Sequence, residues 1–148
     1  VELYLPMQFQ TSRWHENSIG IQRGPLVYAL QVDGKKEQID EEFGVETWAY
    51  HPQTPWNFGI LIDPNDPSKD LKLTETMTSD YPWTAESVPL KVQAKGKRIP
   101  KWKEYNGNHG PMPHSRVQSD EETEEITLIP YGATILRVSE IPQIRTQN

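Results

Sequence analysis

The longest stretch of this chain free of both proline and glycine is residues 114–129, and it reads HSRVQSDEETEEITLI. Proline removes a backbone donor and clashes with the preceding turn, so it breaks helix interiors. Thirteen prolines in 148 residues, about twice the usual share, therefore argue against long helices. The stretch itself has almost no apolar periodicity before Ile126. Ser119 followed by Glu122 fits a capping box, which allows one short helical turn there. What remains is a chain of short extended pieces.

Those pieces carry a period of two, the signature of a strand with one face on a core. Val1, Leu3, Leu5, Met7 and Phe9 alternate with Glu2, Tyr4, Pro6 and Gln8, and Pro6 assigns this first strand to a sheet edge or a bulge. After a polar turn around RWHENS, Ile19 and Ile21 restart the pattern. Residues 26–30 form a continuous apolar run, as expected of a strand covered on both sides. Gly24 and Pro25 precede it; one supplies backbone freedom and the other fixes φ, so the pair predicts a bend into a central strand. DGKKEQIDEEFG reads as a hydrophilic connection with a tight turn at Asp33-Gly34. VETWAYH sets Glu46, Trp48 and Tyr50 on one face. WNFGILID, LKLTETM and PLKVQAKGK follow as half-exposed strands, and EITLIP and TILRVSEIP close the chain around the turn PYGA. About ten short strands with turn signals every 8–12 residues or so, and no alternating helices, predict a sandwich rather than βαβ units. The expectation is one all-β domain over residues 1–148, an antiparallel, jelly-roll-like β-sandwich with little helix.

The formal net charge is −6, which repels polyanions and gives no footprint for a phosphate backbone. No apolar run approaches the roughly 18–20 residues a bilayer-crossing helix needs. Neither nucleic acid nor a membrane is an expected partner. Val1 is not methionine and already belongs to a strand-like cadence, so the chain is expected to begin inside a longer gene product. The absence of cysteine rules out disulfides, thiolate nucleophiles and thiolate-held zinc within these residues.

Glycoside hydrolysis needs two carboxylates facing each other, about 5–9 Å apart. The acidic clusters DEEFGVE and SDEETEE lie in hydrophilic connections where like charges are ordinarily solvated, so no catalytic pair is assigned. His109 and His114 are separated by Gly110-Pro111 and Pro113, which forbids the i, i+4 helical pairing of zinc sites. Asp63, Asn65, Asp66 and Asp70 offer oxygen ligands, but the loop lacks the central glycine and terminal glutamate of an EF-hand. An ordinary Pro-Asp turn is expected there rather than calcium. No nucleophile elbow, phosphate loop or dinucleotide fingerprint occurs. The aromatic set is Trp14, Trp48, Trp56, Trp83 and Trp102 with Tyr50, Tyr81, Tyr105 and Tyr131. Such rings first serve packing, and they also stack on sugar faces and fill interfaces. Trp48 with Tyr50, Trp56 and Trp83 are the candidates for carbohydrate contact.

Four segments, IQRGPLVYAL, TPWNFGILID, KGKRIPKW and ITLIPYGATILRVSEIP, resemble in order the C-terminal β-sandwich region of glycoside hydrolase family 127, the β-L-arabinofuranosidase-like enzymes of polysaccharide-degrading bacteria. The resemblance implies a parent with a catalytic (α/α) barrel, a glutamate and a cysteine-based zinc site in that barrel, and a periplasmic or secreted setting. It supplies no catalytic residue or cofactor here, because the chain has no cysteine onto which the family's nucleophile or zinc ligands could be carried. The expected function is a non-catalytic accessory domain whose partner is the catalytic domain. The alternative is a carbohydrate-binding module that takes an oligosaccharide on exposed Trp and Tyr. Arg23, with five guanidinium donors, then reads with Gly24 and Pro25 as a structural clamp on neighbouring carbonyls or a carboxylate.

Overall fold

A computed structural model describes residues 2–3 and 5–146. Its strands are β1 (Phe9–Arg13), β2 (Ile19–Arg23), β3 (Leu26–Leu30), β4 (Gly34–Glu42), β5 (Val45–Pro52), β6 (Phe58–Leu61), β7 (Lys72–Glu75), β8 (Leu90–Arg98), β9 (Glu104–Tyr105), β10 (Asn108–His109) and β11 (Thr123–Pro130). Among the described residues helix is confined to three single 3-10 turns at His15–Asn17, Pro67–Lys69 and Tyr131–Ala133. The protein is all-β and sandwich-like, as the spacing of its prolines and apolar residues requires.

One antiparallel sheet runs β1-β2-β3-β11-β8-β6, with β7 on the same edge of β8 beyond β6. Its register sets apolar residues opposite one another: Ile21 on Tyr28, Leu128 on Leu30 and Val92, and Ile126 on Ala94. These side chains, with Ile19, Phe58, Ile60 and Ile141, form the main core. The sheet curls, and residues 138–145 tie it shut. Ile19 and Ile141 exchange backbone hydrogen bonds of 2.8 and 3.0 Å, the Leu30 amide donates to Val138, and Ile60 both donates to Pro142 and accepts from Ile144 at 2.8 Å. The segment thus bonds to β2 and β3 on one side and to β6 on the other. Alternation in β11 sends Ile129 to the opposite face, where it meets Val88 and Ala133 in a small second cluster.

Four local expectations are corrected. The first ladder begins at Phe9, and Leu3 and Leu5 are exposed; the expected strand's Val1 and Tyr4 lie outside the described residues. The stretch read as a hydrophilic connection, DGKKEQIDEEFG, is mostly strand β4. It pairs with β5 as a projecting hairpin whose turn is Phe43-Gly44, both at positive φ (55° and 75°), the pattern of a two-residue type I′ turn. β4 is exposed along its whole length, so no buried face imposed an apolar alternation on it. Ser119 does not cap a helical turn; its hydroxyl donates to the Arg98 carbonyl at 2.6 Å and accepts the Glu121 amide. The closing segment TILRVSEIP is not a regular strand, because its partners change from β3 to β2 to β6 along its length.

The Gly24-Pro25 bend is the β2–β3 hairpin turn, and β3 is an interior strand of the sheet. Gly24 has φ +57°. Positive φ at the first central position followed by a proline, which cannot take positive φ, leaves a type II′ geometry.

Candidate functional site

Two features stand outside the packed sheet: a cleft beside β6 and β8, and the β4–β5 hairpin. The cleft follows from register. Phe58 pairs with Arg98, so the residues just before β6 and just after β8 emerge side by side. Asn57 fastens them. Its side-chain amide donates to the carbonyls of Ile99 (3.1 Å) and Trp102 (3.0 Å), and its Oδ1 accepts from Arg98 Nε at 3.0 Å. The Arg98 guanidinium also lies 5.2 Å from the centre of the Phe58 ring.

Trp102 is buried, donates its indole N–H to the Gly110 carbonyl at 3.0 Å, and meets Trp56 edge-on with ring centres 5.0 Å apart. The result is a polar, open cleft of about 560 Å³ walled by Trp56, Asn57, Arg98, Trp102, Lys103 and Glu104. Among the described residues no carboxylate lies within ion-pair distance of Arg98 or Lys103. Arg98 therefore keeps its positive charge unneutralised, and only its Nε is engaged in a side-chain hydrogen bond. A guanidinium so placed has its terminal nitrogens free to grip a planar anion in two parallel bonds.

The hairpin carries a second group. Trp48 and Tyr50 lie two residues apart on β5 and share a face, opposite Gln38 and Lys36. Lys36 Nζ sits 3.7 Å from the Trp48 ring centre, a close cation–π contact, and the Trp48 indole donates to Glu46 at 3.2 Å. One face of that ring is thus already engaged by a cation. At the tip Phe43 is 96% exposed, with Ile39 and Val45 also exposed, and Asp40, Glu41, Glu42 and Glu46 beside them.

The four aromatic candidates do not form one platform. Trp48 and Tyr50 belong to the hairpin, Trp56 to the cleft, and Trp83 lies half-exposed over Gly132. Asn57, Arg98 and Lys103 do not stand out in the sequence as site residues. Their signal was adjacency to Trp56 in PWN and the run of cations in KGKRIPKWK.

Arg23 lies 6.0 Å from the centre of the Phe9 ring, its register partner on β1. Among the described residues its guanidinium makes no hydrogen bond to a carbonyl or carboxylate, so its contact is with an aromatic face. In the Asp63 loop the carboxylates serve the loop's own backbone: Asp70 accepts the Asp63 amide at 2.7 Å and Asp63 accepts the Asn65 amide at 3.0 Å. Lys69 pairs with Asp66 at 2.7 Å, and that hydrogen bond raises the lysine above its ordinary pKa. His114 reaches Glu16 at 3.0 Å and His109 the Gly110 carbonyl at 3.2 Å. Among the described residues no three His, Asp or Glu side chains gather as a metal site would require.

No family model, no curated protein and no solved structure matches this chain.

Proposed function

We propose that this is a non-catalytic accessory β-domain of a glycoside hydrolase of the family 127 kind, seated against that enzyme's catalytic barrel. The observation that carries the reading is the β4–β5 hairpin, which holds Ile39, Phe43 and Val45 out in water. Burying a large apolar side chain is worth about 1.5–3 kcal/mol, so an arm with three of them is stabilised by cover from another protein surface. The acids around Phe43 call for a basic rim on that surface. The four segments of the resemblance supply the frame behind the arm: the β2–β3 hairpin, β6 and its approach, the end of β8, and β11 with most of the closing segment. The test is made in the longer protein. Replacing residues 35–51 by a short turn is expected to lower solubility or glycosidase activity, and full activity with unchanged stability would overturn the proposal.

A second reading is favoured by the cleft: a carbohydrate-binding module that holds a glycan against Trp56. Calorimetry with arabinan and pectic oligosaccharides tests it, and no heat at millimolar ligand removes it.

A further inference from the structure

We infer that the cleft at the base of the hairpin binds a sugar bearing a carboxylate, with Arg98 gripping the carboxylate and Trp56 stacking on the ring. The inference rests on the glycan-binding reading and is independent of the docking of the arm. Its first support is the way Arg98 is held. A surface arginine ordinarily loses side-chain entropy when it binds; here Nε is fixed on Asn57, Asn57 is fixed on two carbonyls, and the guanidinium lies over Phe58. That ordering is complete before any ligand arrives. The holding partner is a neutral amide, so the charge stays available, and the fork geometry suits a carboxylate.

The walls add the rest. Lys103 supplies a second cation, Glu104 an acceptor for sugar hydroxyls, and Trp56 an aromatic surface pinned by its edge-on contact with Trp102. The volume of about 560 Å³ falls within the range of about 300–1,000 Å³ usual for small-molecule sites. The net charge of −6 narrows the ligand class. A chain of this charge repels a long polyanion, so an unpaired Arg and Lys in one cleft favour recognition of a single anionic group at contact distance.

The experiment titrates the whole chain with D-galacturonate, its methyl ester, D-galactose and acetate, read by calorimetry and tryptophan fluorescence. Galacturonate is expected to bind at least about tenfold more tightly than the ester, galactose or acetate, the margin of a charge-assisted hydrogen-bond pair. Arg98→Gln is expected to erase that margin, and Arg98→Lys, which keeps the charge without the fork, to erase most of it. Urea unfolding confirms that each variant is folded, and Lys103→Ala, at an exposed position, supplies a milder loss should either Arg98 variant fail to fold. Equal binding of acid, ester and galactose overturns the carboxylate inference and leaves the glycan-binding reading standing. Acetate binding as tightly as galacturonate overturns the sugar part. No binding by any of the four overturns the inference. An Arg98→Gln protein that is folded and discriminates like the parent also sinks it.

Discussion

Replacing Ile141 by alanine should be among the most damaging single changes in the closing segment. Its side chain is 1% exposed, packs in the main core, and sits where the segment exchanges two backbone hydrogen bonds with Ile19. Alanine removes three buried carbons at about 0.8 kcal/mol each, and the incompletely collapsed cavity raises the loss to about 3–4 kcal/mol. At about 3 °C per kcal/mol for a chain of this size, the melting temperature falls by about 10 °C. Urea unfolding followed by fluorescence of the five tryptophans measures it. Ile135→Ala is the control: Ile135 is 61% exposed in the same segment and its loss should stay within about 0.5 kcal/mol. If Ile141→Ala cost no more than Ile135→Ala, the segment would not be tied into the sheet and the account of how the curl is closed would be wrong.

Tyr28 is 1% exposed and its hydroxyl has no partner among the described residues, so Tyr28→Phe should stabilise by about 1 kcal/mol. Burial raises the Tyr28 pKa, against a partial lowering by the Arg23 charge and with a smaller raising contribution from Glu75. The unfolded chain therefore ionises this phenol first. Wild-type stability from this group is intact below pH ~10 and is lost as pH rises further, so the advantage of Tyr28→Phe should widen in urea titrations above pH ~10; a constant gap contradicts this. Asn57→Ala removes two donated bonds and the Arg98 acceptor and should cost about 2–3 kcal/mol, visible as a lower urea midpoint. Phe43→Ser, at a 96% exposed position, should leave the stability of this chain within about 0.5 kcal/mol of the parent in urea unfolding, while on the docking proposal it lowers the melting temperature of the chain joined to a catalytic barrel.

The interior of the sheet was legible because burial imposes its period. Residues 19–21, 28–30, 90–94 and 126–129 alternate or run apolar as their faces demand, and Gly24-Pro25 marks its turn because few residue pairs adopt that geometry. β4 was illegible for the complementary reason: neither face is buried, so Lys35, Glu37, Asp40 and Glu42 read as a solvated connection, and only pairing with β5 makes a strand of them. Leu3 and Leu5 show the reverse, an alternation with no core beneath it. The cleft was half legible. Trp56 stood out as an aromatic, but that Arg98 would be its neighbour depends on the Phe58–Arg98 register, which a one-residue slip of β6 along β8 would undo.

The proposal that this chain works by its surfaces, with chemistry supplied elsewhere, is tested most directly by incubating the purified protein with an aryl L-arabinofuranoside. The account predicts release of the aryl group at the rate of buffer alone. Sustained turnover proportional to protein concentration, retained through repurification, would contradict it.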